Sequence, residues 1–275
     1  MINAFKNVFY ITNRYIVLAT PLILFSLIST IYMAYSARGN VLQLLFAQFL
    51  FFIMASVFVA GWFKMVKMAV IEPQSEDVNS LIKEFPTGVG EYFFPSVGAV
   101  IFVVIFSTLM LILFFLLGMK TIGDIGVSQT VFSNALKTTD SLKTFLSSLS
   151  PEQLAKLGMW NMLLLACMSL ISFLSMFYMP ALFFKTKNFF KAFFVGLRAI
   201  FSKKFFYTIG LFALIFIGYF VISILSTLFF KNMIMHFVMT LVNFYYIVLI
   251  AVSVFYFYYH NFVKSQVGQN VDEIV

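Results

Sequence analysis

Six stretches of this chain carry no Lys, Arg, Asp or Glu over about 23 to 32 residues each: Tyr15 to Ala37, Gly39 to Phe63, Tyr92 to Met119, Leu157 to Phe184, Phe205 to Phe230 and Asn232 to Val263. A bilayer core of roughly 30 Å is crossed by about 20 apolar residues in a helix, and only helices or closed barrels satisfy every backbone polar group in lipid. The expected fold is therefore an all-α integral membrane protein. Six spans are expected, at about 15–37, 40–63, 93–118, 152–184, 205–230 and 233–260, in a single transmembrane domain covering 1–275, with an outer loop at about 119–151.

Composition removes the soluble alternatives. Only 10% of the 275 residues are charged and 62% are hydrophobic, against about 25% charged in globular domains. The longest polar insert, Lys120 to Lys156, is shorter than the roughly 40 residues a chain needs to fold alone without staples. The one cysteine, Cys167, sits inside an apolar span, so neither a disulfide framework nor a Cys-ligated metal site is available. The net charge of +8 comes from Lys and Arg at the ends of apolar stretches, where anionic lipid attracts them. The partner it implies is the lipid bilayer, not nucleic acid. The apolar core of the first stretch exceeds the 7–15 residues of a signal peptide, which predicts an uncleaved first membrane helix.

Basic residues in short loops set orientation. With the N-terminus inside, Lys6, Arg14, Lys64, Lys67, Lys83, Lys185, Lys187, Lys191, Arg198, Lys203, Lys204 and Lys264 lie on the inner face; Arg38, Lys120, Lys137, Lys143, Lys156 and Lys231 lie outside. Both termini are therefore expected in the cytoplasm, with the protein in the inner (plasma) membrane of a bacterial cell.

The inner segments before spans one, three and five share a pattern that predicts three hairpins, each preceded by a cytoplasmic interfacial amphipathic helix. In the third, Phe189, Phe190, Phe193, Phe194, Leu197, Ile200 and Phe201 recur at spacings of three and four, so they share one helical face that should meet the acyl boundary. Lys187, Lys191, Arg198, Lys203 and Lys204 are the candidate lipid-headgroup contacts. In the second, Ser75 is an expected N-cap, with Glu76 and Asp77 at the positive end of the helix dipole and Val78, Leu81, Ile82 and Phe85 as the apolar positions; Pro86 and Gly88 are expected to end it. The first is marked by Ile2, Phe5, Val8 and Phe9. Phe93 to Gly98 and Phe205 to Gly210 resemble each other where each leads into the next span, which raises an internal duplication.

In the outer loop, Val131, Phe132, Ala135, Leu136, Leu142, Phe145, Leu146 and Leu149 follow a helical period and predict an amphipathic cap. Ser150-Pro151-Glu152-Gln153 reads as a helix start with a capping box.

Ionisable groups in hydrocarbon mark proton relays, pumps and intramembrane enzymes. No Asp, Glu, Lys, Arg or His stands at mid-span, and His236 and His260 lie near the ends of span six. Zinc, phosphate-loop, nucleophile-elbow and carboxylate-pair motifs are lacking, so no catalytic residue, cofactor or metal is expected and the chain reads as non-enzymatic. The neutral polar residues inside spans are Gln43, Gln48, Asn161 and Asn243. Each amide needs a partner, through adhesion between helices or, for Gln48 and Asn243, along a polar path. Ala166, Ser169, Ser172 and Ser175 form a small-residue strip expected to pack against a neighbouring helix. Trp62, Trp160, Tyr256, Tyr258 and Tyr259 fit interfacial aromatic belts.

The run from Phe189-Phe190-Lys191-Ala192-Phe193 to Phe205-Phe206-Tyr207-Thr208-Ile209-Gly210 resembles the repeated elements of a bacterial family of six-span proteins that includes the membrane domain attached to some glycerophosphodiester phosphodiesterases. The soluble phosphodiesterase domain is not in this chain, so the resemblance implies an architecture and no activity. Three functions stay open: a membrane-embedded partner or scaffold of an envelope or transport assembly; the permease subunit of an ATP-driven exporter, with an ATPase subunit as its partner; and a lipid-binding or lipid-handling protein, suggested by 39 Phe and the interfacial helices.

Overall fold

The computed structural model describes residues 2–36, 41–74, 80–135, 138–230 and 232–264; Arg38, Ser75, Glu76, Asp77, Val78, Leu136, Lys137 and Lys231 lie outside them. Among the described residues there are helices and turns and no strand. In chain order they are α1 (Ile2–Arg14), α2 (Ala19–Ser36), α3 (Val41–Ile71), α4 (Ser80–Thr121), α5 (Gln129–Ala135), α6 (Thr139–Ser148), α7 (Pro151–Ser175), α8 (Tyr178–Phe184), α9 (Phe189–Ile200), α10 (Phe205–Leu228) and α11 (Met233–Tyr258). Five helical stretches are long and apolar enough to cross a membrane, and a sixth arises if the α1–α2 pair, bent by 72°, counts as one span.

Two features depart from the expected hairpins. The short second interfacial helix does not end at Pro86 and Gly88: α4 runs unbroken through Pro86, Gly88, Gly90 and Pro95. Each proline removes one backbone hydrogen bond, which long apolar helices tolerate when side-chain packing holds both flanks. Gly88 serves that packing. A Cβ there would stand 2.5 Å from Lys64 Cβ and 2.7 Å from the Ala60 carbonyl, and one at Gly61 would stand 2.7 Å from the Phe85 ring. The two glycines thus allow α3 and α4 to cross in close contact. In the expected fourth span, by contrast, the helix breaks at Met176–Phe177, between α7 and α8. Pro180 supplies the reason, since its ring clashes with the carbonyl of Met176 four residues back.

The chain forms two compact units, residues 1–102 with 174–275, and residues 103–173. In the first, α11 is the central element, packing against α1, α2, α3, α8 and α10. Its second half supplies the buried Val248, Val252, Phe255, Tyr256 and Tyr258, and α3, which packs against it, supplies the buried Met65, Val66, Ala69 and Val70. Aromatic rings link the helices. Phe25 stacks on Phe58 at 4.4 Å, Phe63 on Phe255 at 5.3 Å, and Phe183 on Tyr92 at 4.2 Å, each pair contributing about 0.5–1.5 kcal/mol beyond its burial. Away from this core the helices expose apolar side chains: Leu45, Phe46 and Phe49 of α3, Ile217 and Phe220 of α10, Met233 and Phe237 of α11. Water would make such exposure costly, whereas lipid matches it.

In the second unit the expected amphipathic cap is two helices, α5 and α6, with Ala135 and Phe145 buried and Val131 and Leu146 exposed. Thr138 and Ser141 form a capping box that restarts the helix. The Ser150–Gln153 box forms as expected: Gln153 N–H donates to Ser150 Oγ at 3.2 Å, and Ser150 N–H to Gln153 Oε1 at 3.0 Å. The strip Ala166, Ser169, Ser172 and Ser175 does not become a packed face. Ala166 and Ser172 are exposed, and α7 buries Cys167 and Ile171 instead, because a bulky apolar pair fills more contact area than serines do.

Candidate functional site

The densest polar cluster forms around Tyr92, which is 3% exposed. Tyr92 and Glu91 come from α4, Lys64 and Lys67 from α3, Phe183 from α8, and Lys187 from the α8–α9 turn. Glu91 is bridged by Lys64 Nζ at 2.9 Å and Lys187 Nζ at 3.1 Å, with Glu84 4.0 Å from Lys64. Lys67 Nζ donates to the Phe183 carbonyl at 2.8 Å and to Tyr92 Oη at 3.2 Å, while Tyr92 O–H reaches the same carbonyl at 3.2 Å. Lys187, Lys67 and Lys64 stand 5.3, 5.6 and 5.9 Å from the Tyr92 ring centroid, inside cation–π range.

The geometry explains the choice of groups. The Phe183 carbonyl is one of the orphan acceptors at the C-terminal end of α8, where the helix dipole favours a cation. Lys67 satisfies it. Three ammonium groups around one phenol would repel one another, and the Glu91 carboxylate, one-third exposed at 32%, neutralises part of that charge. This constellation ties α3, α4 and α8 together.

A second set of bonds fixes the α1–α2 bend. Tyr15 O–H donates to the Glu72 carbonyl at 2.8 Å, Trp62 Nε1 to the Leu18 carbonyl at 2.8 Å, and Arg14 to Tyr10 Oη at 2.6 Å. Tyr15 and Leu18 are completely buried. Trp62 is therefore a structural donor in this turn as well as an aromatic group near a span end.

The five candidate headgroup contacts separate. Lys187 belongs to the Tyr92 cluster. Lys204 donates to Asn261 Oδ1 at 2.7 Å. Lys191, Arg198 and Lys203 are exposed on or beside α9. The Phe face of α9 also divides. Phe193 and Ile200, with Ala192, Gly196 and Ala199, pack inward, whereas Phe190, Phe194 and Phe201 are exposed. A Cβ at Gly196 would stand 3.1 Å from the Phe177 backbone, so the small-residue stripe lets α9 lie against the start of α8. That stripe is visible in the sequence at positions 192, 196 and 199, yet the phenylalanines dominate its hydropathy.

The intramembrane polar candidates remain on separate surfaces. Gln43 and Gln48 are exposed on α3, Asn243 is half-buried on α11, and Asn161 is exposed on α7. Within the second unit, Asn161 lines an apolar chamber of about 840 Å³ with Leu111, Phe115, Leu154, Trp160 and Cys167. Trp160 Nε1 donates to the Gly123 carbonyl at 3.1 Å, and Gly123 takes φ +77°, a backbone conformation suited to glycine.

Sequence reasoning missed the Tyr92 cluster because Glu91, Tyr92, Lys64 and Lys67 read as ordinary span-end residues. Their spacing did hold a signal: Lys64 and Lys67 share a helical face, as do Glu84, Gly88 and Glu91. Among the described residues no group of three or more His, Cys, Asp or Glu could hold a metal ion.

Fold and site together describe a helical protein with several membrane-length apolar helices and a partly neutralised lysine cluster that ties three of its helices together. No family model, curated protein or solved structure matches the chain.

Proposed function

We propose that the chain is a multi-pass protein of the cell's inner membrane, both termini cytoplasmic, that acts without catalysis as a membrane-embedded partner or scaffold of a larger envelope or transport assembly. The observation that carries this reading is the exposure of Gln48 and Asn161. Gln48 lies seven residues, about 10 Å, into α3, and Asn161 ten residues, about 15 Å, into α7. In hydrocarbon such an amide gains about 0.6–2 kcal/mol by bonding across to another helix, and a partner chain supplies one. The distribution of Lys and Arg supports the orientation.

Purification in a mild detergent should recover a stoichiometric partner or a defined homo-oligomer, and replacing Gln48 and Asn161 with Leu should weaken it. A monomer in every preparation would refute the proposal.

A lipid-handling role is the second reading. It is favoured by α9 and the turn after it, where exposed Phe190, Phe194 and Phe201 alternate with exposed Lys191, Arg198 and Lys203, a pattern that seats a helix in an anionic lipid surface.

A further inference from the structure

Between α1, α10 and α11, within the first unit, lies a chamber of about 340 Å³. Its wall combines polar and apolar side chains. Val8, Leu211 and Phe257 supply apolar wall, with Val8 and Leu211 each 3% exposed. Lys204, Tyr207, Ser253, Tyr256 and Asn261 supply the polar groups, and Ser253 Oγ is already engaged with the Leu249 carbonyl at 2.6 Å.

The polar groups are held in place. Beyond α11 the backbone widens into one π-helical turn, Tyr259–Val263, a device that re-aims side chains. Asn261 sits in that turn, and its Nδ2 donates to the Phe257 carbonyl at 2.8 Å. Its Oδ1 is thereby aimed at Lys204, 2.7 Å away. Lys204 has three protons, of which Asn261 takes one, and among the described residues no carboxylate pairs with it. Tyr256 Oη accepts from Asn7 Nδ2 at 2.8 Å, which leaves the phenol proton to be donated. The chamber therefore offers a half-buried cation that no carboxylate among the described residues pairs with, a hydroxyl donor and apolar wall around them.

We infer that this chamber binds a single-chain anionic lipid, an alkyl chain whose carboxylate pairs with Lys204 and accepts from Tyr256. Charge decides the head group. One ammonium matches a monoanion, and a carboxylate also offers Tyr256 a second oxygen; a phosphate monoester carries about −1.5 to −2 at neutral pH and calls for a second cation, and the monoanionic phosphodiester is the competitor that phosphatidylglycerol tests. Size decides the tail. At roughly 30 Å³ per methylene, about the volume of a water molecule, the chamber accommodates on the order of ten methylenes, which matches one alkyl chain rather than the two of a phospholipid. The inference stands apart from the scaffold proposal, which concerns other faces of the molecule.

The test uses the full-length protein in phosphatidylcholine nanodiscs and dodecanoate bearing a diazirine. Photolysis should label peptides containing Val8, Leu211 or Phe257. Unlabelled dodecanoate should compete at least tenfold better than dodecanol, and Lys204→Gln should reduce labelling by about tenfold or more. Leu211→Trp, which fills part of the chamber, should reduce it similarly, and Lys203→Gln, on the neighbouring exposed lysine, should leave it unchanged. Asn261→Ala removes the tether and keeps the cation, so labelling should stay within about threefold of wild type. Four results would overturn the inference: undiminished labelling of Lys204→Gln; equal competition by dodecanol; competition by phosphatidylglycerol equal to that by dodecanoate; or loss in Asn261→Ala as complete as in Lys204→Gln, which would make the Lys204–Asn261 bond merely structural.

Discussion

Lys64 of α3 donates to the Glu91 carboxylate of α4 at 2.9 Å, directly beside the point where Gly88 brings the two helices into contact. The ion pair and the glycine belong to one crossing, because the closeness that Gly88 allows sets the distance at which Lys64 and Glu91 meet. Lys64 has only 12% of its side chain exposed, so loss of Glu91 leaves a largely buried charge with only the more distant Glu84, at 4.0 Å.

Glu91→Gln should accordingly destabilise the protein by roughly 2 kcal/mol, within the range for hydrogen bonds to charged groups. Glu84, 4.0 Å from Lys64, should matter by less than about 0.5 kcal/mol when changed to Gln. Thermal unfolding of the two variants in one detergent gives the comparison. Equal stability of Glu91→Gln and wild type would remove Glu91 from the account of this crossing.

Two glycines of α4, two residues apart, should respond oppositely to alanine. At Gly88 the new Cβ meets Lys64 Cβ at 2.5 Å and backbone at 2.7 Å, so α3 and α4 must part at a cost of about 1–3 kcal/mol. At Gly90 nothing lies within 4 Å, and alanine should be neutral or stabilising by up to about 1 kcal/mol through helix propensity. Melting temperatures of Gly88→Ala and Gly90→Ala that move together would contradict the crossing.

The bend between α1 and α2 rests on two bonds from buried rings to backbone carbonyls. Tyr15→Phe and Trp62→Phe should each cost about 1 kcal/mol. The double variant should expose the α1–α2 junction to protease while the α10–α11 hairpin stays protected. That hairpin has its own lock, Tyr246 O–H to the Ile215 carbonyl at 2.5 Å. Unchanged protection of the junction would assign the bend to apolar packing alone.

Neutralising α9 should change lipid preference only at its exposed cations. Each basic group near an anionic surface contributes about 1 kcal/mol, so Lys191→Gln with Arg198→Gln and Lys203→Gln should reduce co-purifying phosphatidylglycerol relative to phosphatidylcholine, the more so at low salt. Lys187→Gln should not, since Lys187 is engaged with Glu91 at 3.1 Å. Quantitative lipid analysis of the purified proteins distinguishes the two outcomes.

Orientation is tested with single cysteines introduced into a Cys167→Ala background. Lys203→Cys should react with an impermeant maleimide only in inside-out vesicles, and Lys143→Cys only in intact cells or right-side-out vesicles. Labelling of both from one face would reverse or break the proposed threading.

Much of the candidate site was illegible for a physical reason that α9 makes plain. In a soluble protein an apolar helical face signals the core, because the other face meets water. When the surroundings are lipid, a phenylalanine turned outward and one turned inward are equally satisfied, and hydropathy cannot separate exposed Phe190 and Phe194 from buried Phe193. The inward face is marked by close fit, which the small residues Ala192, Gly196 and Ala199 provide. Glu91 was equally hidden, since its meaning depends on Lys64 and Lys187, which are distant in the chain and join it only after α3, α4 and α8 have packed.

The amino-acid sequence alone determined the all-helical class, the stretches long enough to cross a bilayer, and the local caps such as Ser150 with Gln153, because these depend on transfer of side chains from water and on hydrogen bonds between near neighbours. Tertiary structure decided that α4 continues through two prolines and that Lys64, Lys67 and Lys187 gather around Tyr92 while Lys204 turns toward Asn261. Those outcomes turn on contacts between distant helices, whose energies of a kilocalorie or two per mole exceed or offset local preferences and are marked only faintly in the order of residues along any one segment.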